Sequence, residues 1–553
     1  MIKRNHLVLF VLFLTLIIYL PSFFYHFVGD DYVALPKVLL SPSLHQAFEL
    51  RWPAPLGGYF RPLQWMPYLL GKFIAGLPVP PDPRWQAGNF LFSFHLLNVI
   101  FHLANILLVY IIACFVFKSR PLGALASLIF AVHPIGPEVV GWIAVFGDAA
   151  CAFFMLLSMV LFGQFYLKGR KVYFAGSIIS LILALCSKEA ALIAPFMIIL
   201  AFLFLRKSRR SELIGRPSPW LLSYFLIVSL YFTVRNLILP RAAFEFIRNP
   251  REILVKLAYY LRDLFSPVEL QAVKDFVYAH SLLLWVLALG VVLMILAGYL
   301  LLRKFRKSRI IYFSLAWIAL SLLIPLLIPF SPMRRHVYFA LAGASILMAQ
   351  VFLFIRVRKL AVFLLALFII LEAWTTIGRN HLFQVAGATV RDGLSDLKAE
   401  LPAVEPGSII CLAGLPGTIS NTPSFWAATE AKIWYLYKDM NLDVLCLSII
   451  YFKESGPKDS LFEFPDDHTF IQSMDTTLDE SIRVPGESAG NKDSGWVWRD
   501  NGKYRFKILG RDNFGHVNKA KFELDRQYTR GKRIYLIGVK AGKVKVLRSY
   551  IAK

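Results

Sequence analysis

Residues 6–31 read HLVLFVLFLTLIIYLPSFFYHFVGDD. About twenty apolar residues, enough to cross a ~30 Å hydrocarbon core, run directly into two adjacent carboxylates, Asp30 and Asp31. The opening MIKRN and the apolar run have the layout of a signal peptide, but GDD follows where a small-residue cleavage site would stand. The reading is therefore an uncleaved first helix with its N-terminus inside. A charge at membrane depth is costly, so acids placed there generally serve a cavity. A helix-terminus role explains Asp30 and Asp31 as well until other motifs are weighed.

Working outward, such runs recur over the first 380 positions. The chain has 553 residues, 57% hydrophobic and 17% charged, against about a quarter charged in a typical soluble domain. The fold class is a polytopic α-helical membrane protein, because helices satisfy their own backbone in lipid and the alternation of a barrel is missing. The net charge of +25 does not point to nucleic acid. It falls in short gaps between apolar runs (118–120, 168–171, 206–210, 303–309 and 356–359), which is the positive-inside pattern.

Threading those clusters inside predicts about eleven spans: 6–27, 89–117, 121–133, 146–167, 172–187, 189–205, 219–239, 280–302, one on each side of SPMRRH, and 359–378. Two domains follow. Residues 1–380 form the membrane part and 381–553 a soluble α+β or α/β domain, placed outside by the span count. Within the latter, 408–414 and 442–452 read as buried strands, 496–508 as a hairpin turning at Asn501-Gly502, and 532–550 as one turning at Ala541-Gly542. Cys411 and Cys446 would pair only in an oxidising compartment.

The connections expected outside hold the chemistry. HPIGPEVVGW sets His133, Glu138 and Trp142 at a Pro-stiffened corner, with Asp148 opening the next span; an ordinary Pro-rich turn is the plainer account. SKE adds Lys188 and Glu189, which also read as mutually neutralising neighbours. SPMRRH stacks Arg334, Arg335 and His336 on the outside, against the positive-inside trend. The planar guanidinium fork suits a phosphate, and Arg61 is a further candidate. Acids beside cations at the membrane rim fit chemistry on a lipid-linked phosphate, with the cations on the phosphate and a carboxylate deprotonating the attacking hydroxyl.

In this order, GDDYVAL, GYFRPLQW, HLLNVIFHLAN, FAVHPIGPEVVGW, Gly147-Asp148, LALCSKEAAL and RRHVYFALAG resemble the GT-C glycosyltransferases over roughly residues 1–380. The nearer resemblance is to the transmembrane and tetratricopeptide-repeat mannosyltransferases, the more distant one to the protein O-mannosyltransferases. The resemblance implies an integral-membrane hexosyltransferase, with mannosyl transfer as its special case. It would move sugar from a polyprenyl-phosphate donor to a glycan, glycolipid or protein hydroxyl on the extracytoplasmic face, with inversion. It also implies Asp30 as base, Asp31 supporting it or binding a divalent metal, and Glu138 and Asp148 as the second acidic region. Lys188 and Glu189 match the family SKE, and Arg335 would hold the donor phosphate. The expected location is a bacterial-type inner membrane, with the active site and the C-terminal domain facing the periplasm. The chain departs from the family pattern at Gly136-Pro137-Glu138 and Phe146-Gly147-Asp148, and it carries no tetratricopeptide repeats. The rival functions are a lipid-linked glycan flippase, a surface-polysaccharide polymerase or ligase, and a membrane scaffold presenting the C-terminal domain.

Overall fold

A computed structural model describes residues 6–41, 43–52, 58–75, 91–208, 218–239, 247, 249–266, 308–328, 332–419, 422–424, 429–437, 439, 441–452, 461–473, 481–483, 497–499, 502–511, 517–540 and 543–552. Among the described residues, seven helices are long and apolar enough to cross a membrane: His6–Phe24, Leu91–Phe117, Ile143–Lys168, Pro219–Ile238, Arg309–Leu327, Arg334–Phe354 and Arg358–Glu400. Three shorter apolar helices join them: Arg120–Val132, Lys171–Ser187 and Glu189–Leu205. The expected span at 280–302 lies outside the described residues, and each of the others coincides with one of these helices.

The chain divides into two compact units. The first comprises residues 1–21, 49–67 and 95–380. In it, the turns between helices are capped as their sequence requires. Ser119 accepts from the Leu122 N–H at 3.3 Å to start the Arg120–Val132 helix. Gly169, at φ +69, closes the Phe146–Lys168 helix by donating its N–H to Phe165 O at 2.8 Å, a left-handed stop that glycine adopts without strain. Polar side chains tie helices together where lipid offers no hydrophobic drive. Ser158 and Ser177 each donate to the other's carbonyl, at 2.8 and 2.7 Å, and Ser177 also meets the Tyr224 hydroxyl at 2.6 Å. The small residues of YFALAGAS let Tyr338–Phe354 approach Arg309–Leu327 closely. Trp317 donates to Phe339 O at 3.0 Å, and a Cβ at Gly343 would stand 2.8 Å from the indole of Trp317.

The helices of this unit also have a common polarity of chemistry. Phe146–Lys168 opens with Asp148 and ends on Lys168; Lys171–Ser187 opens with basic residues and ends beside Lys188. In these two helices, motif residues and basic turns thus fall at opposite ends.

The second unit comprises residues 22–48, 68–94 and 381–553. The 43-residue Arg358–Glu400 helix, roughly 65 Å long at 1.5 Å per residue, runs from the first unit into it. Three sheets follow. One is mixed and four-stranded, in the order Lys543–Ile551, Arg533–Lys540, Ile409–Leu412, Asp443–Cys446, with its two inner pairings onto Ile409–Leu412 parallel. The second is antiparallel and five-stranded, in the order Val497–Arg499, Tyr504–Arg511, Val517–Leu524, Thr469–Ser473, Leu461–Glu463. The third is a four-stranded sheet centred on Leu415–Ile419 and Ile449–Phe452. Ile409, Cys411, Phe470, Tyr504, Phe522 and Leu536 share one buried core, in which the rings of Phe470 and Phe522 stack at 4.9 Å.

The expected strand at 442–452 is two strands, Asp443–Cys446 and Ile449–Phe452. The last two strands pair in register to Lys540↔Lys543, and the expected turn at Ala541-Gly542 lies outside the described residues. The 496–508 hairpin is described up to Arg499↔Tyr504, with Gly502 at φ +87. Cys411 and Cys446 lie on neighbouring parallel strands and form no disulfide with each other.

Candidate active site

In the first unit, motifs far apart in sequence interlock through ion pairs. Arg61 of GYFRPLQW reaches Glu189 of SKE, Nη2 to Oε2 at 2.6 Å and Nε to Oε2 at 2.9 Å. Lys188 of the same SKE turns to Asp148 at 2.5 Å. Arg335 of RRHVYF reaches Glu138 of HPIGPEVVGW at 2.8 Å and lies 4.6 Å over the Trp142 ring. The SKE charges therefore do not neutralise each other. Each is matched by a residue from a different element, 128 and 40 positions away.

The six side chains retain 10–19% of their surface, so they are buried yet reachable. Burial pushes the Lys188 ammonium down, Asp148 opposes that, and the nearby Arg61 and Arg335 charges add to it, leaving it below the ordinary lysine range. Burial also works against Arg61, but Glu189 more than compensates and its affinity for the proton rises.

A second set flanks these. Asp263 receives Arg262 at 2.7 Å and Arg334 at 3.8 Å. Tyr260 meets His336 Nδ1 at 3.1 Å, and Lys256 donates to Ile328 O at 2.5 Å.

His133 is fully buried. Its Nδ1 accepts from the Ile135 N–H at 3.3 Å, so Nε2 carries the proton and donates to Leu264 O at 3.3 Å; Glu372 Oε1 stands 3.9 Å from that nitrogen. His133 thus braces the Pro-rich corner against the Pro250–Phe265 helix.

HLLNVIFHLAN, read only as part of a family pattern, supplies a polar stripe inside the unit. Asn98 donates to Val139 O at 2.8 Å, Asn105 donates to Ala149 O at 3.0 Å, and His102 Nδ1 pairs with the Tyr338 hydroxyl at 2.7 Å. These contacts fix the corner carrying Glu138, the helix carrying Asp148 and the helix following Arg335. The spacing 95, 98, 102, 105 puts these polar residues on one helix face, which is the signal in the sequence for such a role.

Gln64, also not singled out by sequence, accepts from the Gly147 N–H at 3.0 Å and donates to Ala144 O, so it seats the start of the Asp148 helix. A Cβ at Gly147 would collide with Gln64 Oε1 and stand 2.9 Å from Ser187 O. Gly147→Ala is therefore expected to destabilise the protein by about 1–3 kcal/mol, read as a lower thermal midpoint in detergent, and to lower activity through the Lys188–Asp148 pair.

Asp30 and Asp31 belong to the second unit. Asp31 is fully buried and its carboxylate accepts from the Val28 N–H at 2.9 Å and the Tyr68 hydroxyl at 3.0 Å. Lys72 donates to Val38 O and Ser41 O at 2.7 and 2.9 Å, closing the Asp31–Leu40 helix. Asp30 is only partly buried. Lys432 of the Thr429–Tyr437 helix is fully buried; burial pushes its ammonium down to about 8 against the pull of Asp30. Among the described residues no group of three or more His, Cys, Asp and Glu side chains is placed to hold a metal ion.

Residues 87–238 match the family model described as dolichyl-phosphate-mannose-protein mannosyltransferase. The chain is 31% identical over 145 residues to the mouse protein O-mannosyl-transferase TMTC1, covering 24% of this chain and 14% of that relative. It is also 31% identical over 134 residues to the human protein O-mannosyl-transferase TMTC3, covering 22% and 13%. The chain thus matches about a seventh of the length of the first of these relatives. Among solved structures, ArnT from Cupriavidus metallidurans bound to undecaprenyl phosphate is 10% identical, with 80% of this chain and 86% of that one covered and a TM-score of 0.45. The oligosaccharyltransferase of Archaeoglobus fulgidus, in complex with zinc and sulfate, is 14% identical, with 80% and 67% covered and a TM-score of 0.40. The segment matched by the family model holds the polar stripe, the HPIGPEVVGW corner, Asp148 and SKE.

Proposed function

We propose that this protein is an integral-membrane glycosyltransferase that moves a hexosyl group from a polyprenyl-phosphate donor to an acceptor hydroxyl. The observation that carries the reading is the set of three partly buried cations, Arg61, Lys188 and Arg335, each oriented by one carboxylate from another motif. A carboxylate uses part of a cation's donor capacity and fixes its direction. The remaining N–H groups of two guanidiniums and an ammonium suit one phosphate oxyanion set.

The chemistry is a displacement at the anomeric carbon. The acceptor oxygen forms the new bond while the C–O bond to phosphate breaks, and the bonding pair leaves with the polyprenyl phosphate. Charge grows on that leaving oxygen, so cations fixed in advance lower the barrier. The proton of the acceptor hydroxyl passes to a carboxylate base. Asp30 is assigned that role on its motif, and Asp31, tied to Val28 and Tyr68, keeps the turn that presents it. In this reading Glu138, Asp148 and Glu189 orient cations. Two further assignments complete it: the motif ends of the helices face the extracytoplasmic side, opposite the basic turns, and the configuration at the anomeric carbon inverts.

The test is lipid-phosphate binding. Purified protein is incubated with dolichyl phosphate and read by native mass spectrometry. Wild type is expected to retain one lipid, and the paired variant Arg335→Met/Glu138→Gln to lose it. Equal retention by both, or none by either, overturns the reading.

A further inference from the structure

The turn that carries Asp30 is held by the C-terminal domain. Gly29 adopts φ +45, a left-handed conformation suited to glycine. Its N–H donates to Ser424 O at 3.2 Å, and its carbonyl accepts from Lys432 Nζ at 3.4 Å. Both backbone groups of the residue before Asp30 are therefore engaged by residues from beyond position 420. The same lysine sits 5.0 Å over the Tyr32 ring, and Tyr435 of its helix meets Tyr32 edge-on at 5.2 Å.

A staple between two segments needs no charge, since packed apolar residues of similar volume hold as well as a buried ionic group. An ammonium withdrawn from water is expensive unless partners compensate it. The carboxylates whose charges act on Lys432 are Asp30 first, then Glu430 and Asp31. A fully buried cation that donates to the Gly29 carbonyl and feels the Asp30 charge can act on the turn and on the carboxylate together, as a neutral residue cannot.

We infer that Lys432 is a positioning residue for the transfer reaction, through which the C-terminal domain sets the backbone and the carboxylate of Asp30. The inference rests on the reading of Asp30 as the base. It gives the C-terminal domain a part in building the turn that carries Asp30.

The test uses the full chain in detergent with Lys432→Met, Lys432→Gln and Asp30→Asn. Hydrogen–deuterium exchange needs no substrate. Exchange in peptides covering residues 24–36 is expected to speed tenfold or more in Lys432→Met, with the Ile409–Leu412 and Arg533–Lys540 strands unchanged. Turnover of dolichyl-phosphate mannose is expected to lose tenfold or more in kcat with donor KM within twofold, a split that general loosening of the domain does not produce. If the methionine variant exchanges fast throughout, Lys432→Gln, which keeps a donor for Gly29 without the charge, decides by the same readouts. Unchanged exchange at 24–36, or a kcat within twofold of wild type while Asp30→Asn is inactive, overturns the inference and leaves the base in place. Full turnover by Asp30→Asn overturns the base assignment and the inference with it.

Discussion

Arg335→Met is expected to slow sugar transfer by roughly 100- to 1,000-fold, the cost of removing one oriented donor from a developing oxyanion. The same change leaves Glu138 without its cation at 2.8 Å. Breaking a buried pair from one side costs about 3–5 kcal/mol, so the single variant is also expected to melt earlier. Adding Glu138→Gln separates the two effects. The double variant removes both charges, so its thermal midpoint should recover toward wild type while transfer stays low. Recovery of transfer along with stability would show that Arg335 serves the fold and not the phosphate. The same logic applies to Lys188→Met with Asp148→Asn, with a smaller effect expected because an ammonium offers no bidentate fork.

Asp30→Asn is expected to lower turnover by about 100- to 10,000-fold at unchanged donor affinity, the span usual for losing a general base. Asp31→Asn should behave differently, although the two residues are adjacent. Its carboxylate accepts two hydrogen bonds, from Val28 N–H and Tyr68 O–H. An amide there keeps one oxygen for the Val28 N–H but turns its NH2 to the Tyr68 oxygen, so the Tyr68 O–H loses its carboxylate acceptor, which costs about 1–3 kcal/mol. The expected pattern is a stable, inactive Asp30 variant and an unstable Asp31 variant whose remaining folded fraction turns over. Rates normalised to folded protein, with midpoints measured on the same samples, check both halves. An Asp31 variant as stable as wild type but inactive would exchange the two roles.

The membrane part was legible because hydropathy and basic turns are local properties. Arg120–Val132, Phe146–Lys168 and Lys171–Ser187 can be read from apolar runs, Pro121 and Gly169 without knowing their neighbours. The cation and acid motifs were legible as residue types, but their pairing was not. Nothing local to SKE says that Lys188 turns to Asp148 and Glu189 to Arg61; that is decided by how helices pack. Adjacent charges on a short turn point apart, which removes the neutralising pair that the sequence alone allows.

The polar stripe of Asn98, His102 and Asn105 has a periodicity that sequence does carry, yet its acceptors are backbone carbonyls at Val139 and Ala149 and the Tyr338 hydroxyl, which only the fold supplies. The same holds for Lys432. A lysine in TEAKIWYLY reads as a solvated helix residue, and its place beneath Gly29 is a tertiary fact. In the C-terminal domain, alternation located the strands while Leu447-Ser448, the break between Asp443–Cys446 and Ile449–Phe452, was hidden inside one apolar run.

The measurement that tests the central claim most directly is sugar transfer by purified protein from a panel of polyprenyl-phosphate sugars. Release of polyprenyl phosphate is followed by mass spectrometry, for wild type beside Arg335→Met/Glu138→Gln and Asp30→Asn, with a lipid and glycan extract as acceptor. The account predicts release from at least one donor by wild type and a loss of 100-fold or more in both variants. Release by all three at equal rates would contradict it.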